Sequence, residues 1–321
     1  YPSKETVNTY IILDCVIVVI SIIMLWKGAD WLVDSAAEIA HKLHVSDLII
    51  GLTVVAFGTS APEFAVTISA AISGQSDISI GNVVGSNIFN LGFILGGTAI
   101  IRPIVTSEKL FNRDGLFLLI TTALIFFLFF GFDGWTPNDS FTKSEGALLF
   151  LLLVGYITFL FVKKDPPEEV HPHNANWESY LYFFAGLILI VLGGHLMVKH
   201  ASSVAHYMGV SDWVIAVTIV AAGTSAPEFA TSISAALKGR HGIAVGNLIG
   251  SDLFNLLGVL GLAGIINPTL IGEDIYNSMF LLVLMVGLTM LMIRTNWRIT
   301  RKEGMLLVGI NLVRWYFDFA S

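Results

Sequence analysis

The chain has 321 residues, of which 55% are hydrophobic and 13% charged, against roughly 25% charged in an ordinary soluble domain. Mean hydropathy is +0.78 and the net charge is −7 with no basic block, which excludes a cytosolic enzyme, a disordered chain and a nucleic-acid partner. The single cysteine, Cys15, excludes an intramolecular disulfide and a thiolate metal cluster. What remains is an all-α, multi-pass membrane protein.

A bilayer core about 30 Å thick takes about 20 apolar residues per helix. Ten spans are predicted in chain order: 10–28, continuing as helix toward 43, then 47–72, 78–101, 113–132, 144–162, 178–205, 212–237, 242–266, 275–293 and 302–320. The first is not expected to be a signal peptide, because it lacks a basic n-region and its apolar run is too long. A few residues are expected ahead of Tyr1. Twelve Lys and Arg fall in the loops on one side and four on the other, which predicts both termini outside; the plasma membrane is the expected location.

The chain repeats itself. Val45–Pro103 aligns with Val210–Pro268 at a constant offset of 165, with 33 identities in 59 positions. Five spans precede residue 165 and five follow it. An odd number per copy makes the copies enter the membrane in opposite directions, so the expected fold is ten transmembrane helices in two inverted five-helix repeats. The boundaries are 1–162 for the first repeat, 163–176 for a polar cytosolic linker and 177–321 for the second.

The densest identity is Gly58-Thr59-Ser60-Ala61-Pro62-Glu63-Phe64-Ala65, repeated as Gly223-Thr224-Ser225-Ala226-Pro227-Glu228-Phe229-Ala230. Proline removes a helix hydrogen bond, so each helix is expected to bend there, with carbonyls at Ala56 and Ala221 freed to face a cavity. Glu63 and Glu228 are carboxylates at membrane depth, which are costly and mark ion or proton pathways. With the Thr and Ser hydroxyls beside them they form a hard-oxygen set suited to Na⁺, Ca²⁺ or Mg²⁺. The second repeated segment runs Gly81 to Asn90 and Gly246 to Asn255. Ser86 and Asn90 share a helix face, as do Ser251 and Asn255, and read as ligands; the glycines read as helix contacts.

These segments resemble the calcium/cation antiporter superfamily, most closely the sodium/calcium exchangers, over nearly the whole chain. The resemblance implies Ca²⁺ at Glu63 and Glu228, with oxygens from Thr59, Ser60, Thr224 and Ser225. It implies sodium sites lined by Ser86, Ser251, Asn90 and Asn255 with the Ala56 and Ala221 carbonyls. It also implies that the first and sixth spans slide across a fixed core. Position 255 is Asn where potassium-dependent and some archaeal relatives carry Asp, which argues against potassium coupling. Asp252 stands where the first repeat has Asn87. It is either a third carboxylate near the site or a protonated acid paired with a neighbouring helix. The linker has no room for a regulatory domain.

The expected activity is Na⁺/Ca²⁺ antiport that extrudes Ca²⁺, with H⁺/Ca²⁺ exchange as the nearest alternative and a cation channel behind it. Ser60 or Ser225 as a hydrolase nucleophile lacks a histidine base in either motif, so the chain is not read as an enzyme. No cofactor is expected; the partners are Ca²⁺, Na⁺ and the lipid bilayer, and the chain is expected to work as a monomer. Asp30, Asp34 and Glu38 form a stripe read as the solvated end of the first helix. His171 and His173 read as solvated loop, and Trp135, Trp177 and Trp297 as interfacial anchors.

Overall fold

The computed structural model describes residues 4–131, 141–163, 165, 175–209, 221–268, 271 and 275–320. The described chain is nearly all helix. α1 is Lys4–Leu43, α2 Asp47–Thr59, α3 Ala61–Ile72, α4 residues 76–101, α5 Leu110–Phe130, α6 Lys143–Lys163 and α7 Trp177–Tyr207. The second half holds α8 (Ala221–Thr224), α9 (Ala226–Leu237), α10 (His241–Ile266), α11 (Ile275–Asn296) and α12 (Arg301–Ala320).

Seven described helices are long and apolar enough to cross a membrane: α1, α4, α5, α6, α7, α10 and α11. The pair α2 and α3, bent by 52° at Ser60, makes an eighth candidate. The expected span 212–237 is described only from Ala221. The expected span 302–320 falls within α12, which carries Arg301, Lys302, Glu303, Arg314 and Asp318 and is not among the seven. The first span does run on as one helix to Leu43. His171, His173 and Trp135 lie outside the described residues. Trp177 is exposed at the start of α7, whereas Trp297 packs edge-on against Phe111.

Glycines set the helix crossings. A methyl at Gly28 of α1 would lie 2.8 Å from the Gly186 carbonyl of α7, and one at Gly186 would lie 2.7 Å from the Gly28 carbonyl. Gly96 of α4 and Gly304 of α12 make the same reciprocal contact, and so do Gly261 of α10 and Gly146 of α6. Gly96 and Gly261 are 165 residues apart, so the two copies use one packing device. α10 lies at the centre: every residue from Ile243 to Leu253 is buried. The outward faces of α1 and α7 keep Ile12, Val16, Val19, Leu181 and Ile188 exposed, which suits a lipid surround.

One end of the bundle is tied by polar contacts. β1 (Ile104–Val105) pairs antiparallel with β2 (Arg298–Ile299), clipping the α4–α5 connection to the α11–α12 connection. Arg113 forks onto Asp114 at 2.7 and 3.0 Å and reaches Asp165, the residue two beyond α6. Lys109 pairs with Asp165 as well. Burial raises the Asp165 carboxyl, but these two cations outweigh it and hold the group below its ordinary range.

Candidate functional site

Each repeated motif breaks a helix and starts another. α2 ends at Thr59, Ser60 leaves helical geometry with ψ at 9°, and α3 begins at Ala61 with Pro62 in its first turn. α8 ends at Thr224, Ser225 has ψ at 10°, and α9 begins at Ala226 with Pro227 in its first turn. Proline is tolerated there because first-turn N–H groups have no intrahelical acceptor. Glu63 and Glu228 therefore stand in the first turns of half-helices, where the helix dipole favours negative charge.

The Ala56 carbonyl is not freed as the motif suggested. It accepts the Ser60 N–H at 3.0 Å and the Thr59 hydroxyl at 3.3 Å. The reason is register: the N–H that Pro62 lacks would have bonded four residues back, to Gly58. Ala221 begins α8.

The two motifs hold each other. Ser60 Oγ donates to Glu228 Oε1 at 2.9 Å and Ser225 Oγ donates to Glu63 Oε1 at 3.0 Å. Ser251 Oγ donates to the same Glu228 oxygen at 3.5 Å. Thr59, Ser60, Glu63, Ser225 and Glu228 are all buried, and Thr224 is half-buried beside them.

α4 and α10 supply the second layer. Ser86, Asn90, Ser251 and Asn255 are buried, on the shared faces their spacing predicted. Both asparagines stand where the helix widens into π geometry, over Asn90–Leu95 and Phe254–Val259, a distortion common at functional sites. Two reciprocal rungs join the helices: Asn90 Nδ2 donates to Asp252 Oδ1, and Asn255 Nδ2 donates to Asn87 Oδ1, each at 3.0 Å. Asn87 Nδ2 also donates to the Asp252 carbonyl at 3.2 Å.

Two further residues matter that motif reading passed over. Asn82 Nδ2 donates to Thr67 Oγ1 at 2.9 Å and to the Glu63 carbonyl at 3.4 Å. Asn247 Nδ2 donates to Ser232 Oγ at 3.1 Å and to the Glu228 carbonyl at 3.4 Å, and its Oδ1 accepts from Thr59 at 3.0 Å. Each asparagine staples a glutamate-bearing half-helix to the helix that follows it. The signal was present: Asn82, Ser86 and Asn90 lie at i, i+4 and i+8 on one face.

The chemistry of the cluster is one-sided. Glu63 Oε2, Glu228 Oε2, Asp252 Oδ2, Asn90 Oδ1 and Asn255 Oδ1 are buried acceptor oxygens with no donor among the described residues. Among the described residues the side-chain donors to these carboxylates are serine hydroxyls and an asparagine amide, never Lys, Arg or His. Buried acceptors without donors are costly, and hard oxygens in this number fit a cation.

α7 lies across both motifs. A methyl at Gly58 would come within 2.7 Å of Leu187, one at Gly223 within 1.9 Å of Val198, and one at Gly194 within 3.4 Å of Pro227. α7 is in turn fixed to α1. His200 Nδ1 is 2.6 Å from Asp14 Oδ1, and Ser203 Oγ donates to Asp14 Oδ2 at 2.6 Å. The stripe on α1 is also partnered, not merely solvated. Lys238, which caps the C-terminus of α9, bridges Asp30 and Asp34 at 3.2 and 2.8 Å, Ser234 donates to Asp30, and Ser179 of α7 donates to Glu38.

The family model of the sodium/calcium exchanger protein matches residues 14–162 and 178–319. The chain belongs to the sodium/calcium exchanger family. It is 36% identical to a putative antiporter, CaxA, of Alkalimonas amylolytica, over 95% of this chain and 98% of that protein. It is 34% identical to the sodium/calcium exchanger MaX1 of Methanosarcina acetivorans, over 91% and 94%. Its fold matches the solved sodium-calcium exchanger NCX_Mj soaked with Na⁺ without Ca²⁺, with a TM-score of 0.82, 30% identity and coverage of 94% and 98%. The chain is accordingly a multi-pass integral membrane antiporter of the calcium/cation class, and not an enzyme.

Proposed function

We propose that the chain exchanges Na⁺ for Ca²⁺ by alternating access and normally extrudes Ca²⁺. The observation that carries this reading is the pair of buried carboxylates, Glu63 and Glu228, each held by a serine of the other motif and each with one oxygen lacking a donor. Two carboxylates neutralise one Ca²⁺ or two Na⁺, so the two cargoes exclude each other at one site and exchange follows without a further coupling device. Thr59, Ser60, Thr224 and Ser225 add oxygens to the Ca²⁺ site. Ser86, Ser251, Asn90 and Asn255 bind Na⁺, with the Ala56 and Ala221 carbonyls; at Ala56 the Thr59 hydroxyl, which also donates to Asn247, turns wholly to Asn247 to free a lone pair.

The moving part is α1 with α7. The glycine crossing and the Asp14–His200–Ser203 cluster join them, and α7 touches both motif glycines, so one sliding body can open one side of the site while closing the other. Ten spans in two inverted repeats, 1–162 and 177–321 about a cytosolic linker 163–176, place both termini outside the cell membrane, and one chain suffices for transport. The NCX_Mj match and the 165-residue offset of the repeated contacts support that arrangement. The test is ⁴⁵Ca²⁺ uptake into proteoliposomes loaded in turn with Na⁺, with K⁺, or with a proton gradient. Uptake driven by Na⁺ alone is expected; uptake driven by the proton gradient and not by Na⁺ would overturn the counter-ion.

A further inference from the structure

The second layer of the site breaks the symmetry of the repeat at one residue. Asn87 both gives and receives across the interface: its amide donates to the Asp252 carbonyl and its oxygen accepts from Asn255. The equivalent residue, Asp252, has no N–H to return. It only accepts, from Asn90 at 3.0 Å. Exchanging the amide for a carboxylate thus removes a donor from a fully buried rung and adds a negative charge.

No cationic side chain among the described residues answers that charge. Among the described residues, Asp252 Oδ1 has the Asn90 amide, Oδ2 has no donor, and no Lys, Arg or His bonds either oxygen. A buried carboxylate left this way carries a large desolvation penalty unless a cation sits beside it or it takes up a proton, and a proton on Oδ2 would find no acceptor among the described residues. Two more donorless oxygens belong to the same cluster. Asn90 Oδ1 is on the amide whose nitrogen holds Asp252, and Asn255 Oδ1 is one helical turn further along α10. One carboxylate with two amide oxygens is a hard, singly charged ligand set, matched to a monovalent cation.

Building on the exchange site proposed above, we infer that Asp252 joins Asn90 and Asn255 in a Na⁺ site next to the Glu63–Glu228 pair, and that its charge sets the affinity for the counter-ion. The chamber then holds three carboxylates. A Ca²⁺ at the two glutamates is neutralised without Asp252, whereas a third Na⁺ depends on it. Na⁺ affinity therefore falls on Asp252 more than Ca²⁺ affinity does.

The experiment compares ⁴⁵Ca²⁺ uptake into Na⁺-loaded proteoliposomes for the wild type, Asp252→Asn, and the double variant Asp252→Asn with Asn255→Asp. Asp252→Asn restores the amide found at the symmetric position. It is expected to raise half-activating Na⁺ at least about tenfold and to lower the steepness of Na⁺ activation, with half-saturating Ca²⁺ changing less than about threefold. The double variant moves the acid one turn along α10, opposite Asn87, and is expected to recover most of the Na⁺ affinity. A Na⁺ activation curve for Asp252→Asn that superimposes on the wild type overturns the inference. If the single variant does not fold, the double variant decides: near-native Na⁺ activation supports the site, and a folded double variant with Na⁺ activation lost overturns it. Failure of Na⁺ drive in the wild type itself overturns the counter-ion reading, and this inference with it, before any variant is compared.

Discussion

Replacing Gly250 with alanine tests whether the ligand positions are set by backbone contact between α10 and α2. Gly242, Gly246 and Gly250 form a ladder along α10 that rests on the backbone of α2. A methyl at Gly250 would lie 2.6 Å from the Leu52 carbonyl oxygen, 2.7 Å from Ala56 Cβ and 2.8 Å from Leu52 Cα. Ordinary contact begins at 3.4 Å, so the methyl is about 0.8 Å too close to an atom that cannot rotate away. Overpacking of this kind costs about 1–3 kcal/mol, against about 1 kcal/mol gained from helix propensity. The net loss in stability is up to about 2 kcal/mol. The larger effect falls on transport. Relief requires α10 to move off α2, and the next two residues are Ser251, 3.5 Å from Glu228, and Asp252, 3.0 Å from Asn90. Ca²⁺ uptake in proteoliposomes is expected to fall at least about tenfold, since a site misplaced by about 1 Å no longer works. Gly155→Ala, Gly287→Ala and Gly309→Ala are the controls, because a methyl at each meets no atom of the described residues within 4 Å. They should keep wild-type flux and gain up to about 1 kcal/mol. A Gly250→Ala protein with the flux and melting temperature of those controls would refute the packing argument.

Three further outcomes follow from the contacts. Ser86→Ala combined with Ser251→Ala should shift the Na⁺ activation curve for Ca²⁺ uptake more than it shifts Ca²⁺ affinity; an unmoved Na⁺ curve removes both serines from the sodium sites. Asn247→Ala should destabilise the protein by about 1–3 kcal/mol in thermal or denaturant unfolding, because it strands the buried Ser232 hydroxyl and the Glu228 carbonyl contact that pin α9 to α10 and leaves Thr59 only its longer bond to the Ala56 carbonyl; wild-type stability would show the staple to be dispensable. Asp165 is held below its ordinary value of 3.8 by Lys109 and Arg113. Its pairing therefore stabilises the fold above that value, and the contribution is lost as pH falls from there through the lowered folded value. Asp165→Asn should flatten this acid limb of stability against pH, and parallel limbs in variant and wild type would contradict the pairing.

The 165-residue offset carried most of the architecture that could be read without coordinates. It located both helix breaks, since each Pro stands two residues after a Ser in both copies. It also put Ser86 and Asn90 on one face, although Asn82, one turn earlier on that face, was passed over. What the sequence hid was partnership across long separations. Asp14 reads as a lone acid in an apolar run, because His200 and Ser203 lie 186 and 189 residues away. Asp30 and Asp34 read as a solvated stripe because Lys238 comes from another helix, 204 residues beyond Asp34. No local spacing rule reports such pairs. The Ala56 carbonyl differs: four residues back from Pro62 is Gly58, so the sequence itself puts the carbonyl that loses its donor at Gly58 and leaves Ala56 bonded.

Glu63 and Glu228 are proposed to bind Ca²⁺ together and to give it up to Na⁺. The most direct measurement is equilibrium ⁴⁵Ca²⁺ binding to the purified protein in detergent, with Na⁺ as competitor, for the wild type, Glu63→Gln and Glu228→Gln. Glutamine keeps the volume and one oxygen but removes the charge a divalent ion needs. Saturable Ca²⁺ binding displaced by Na⁺ is expected in the wild type, with its loss in both variants while each stays folded and monodisperse. Na⁺-sensitive Ca²⁺ binding retained in either variant would contradict it.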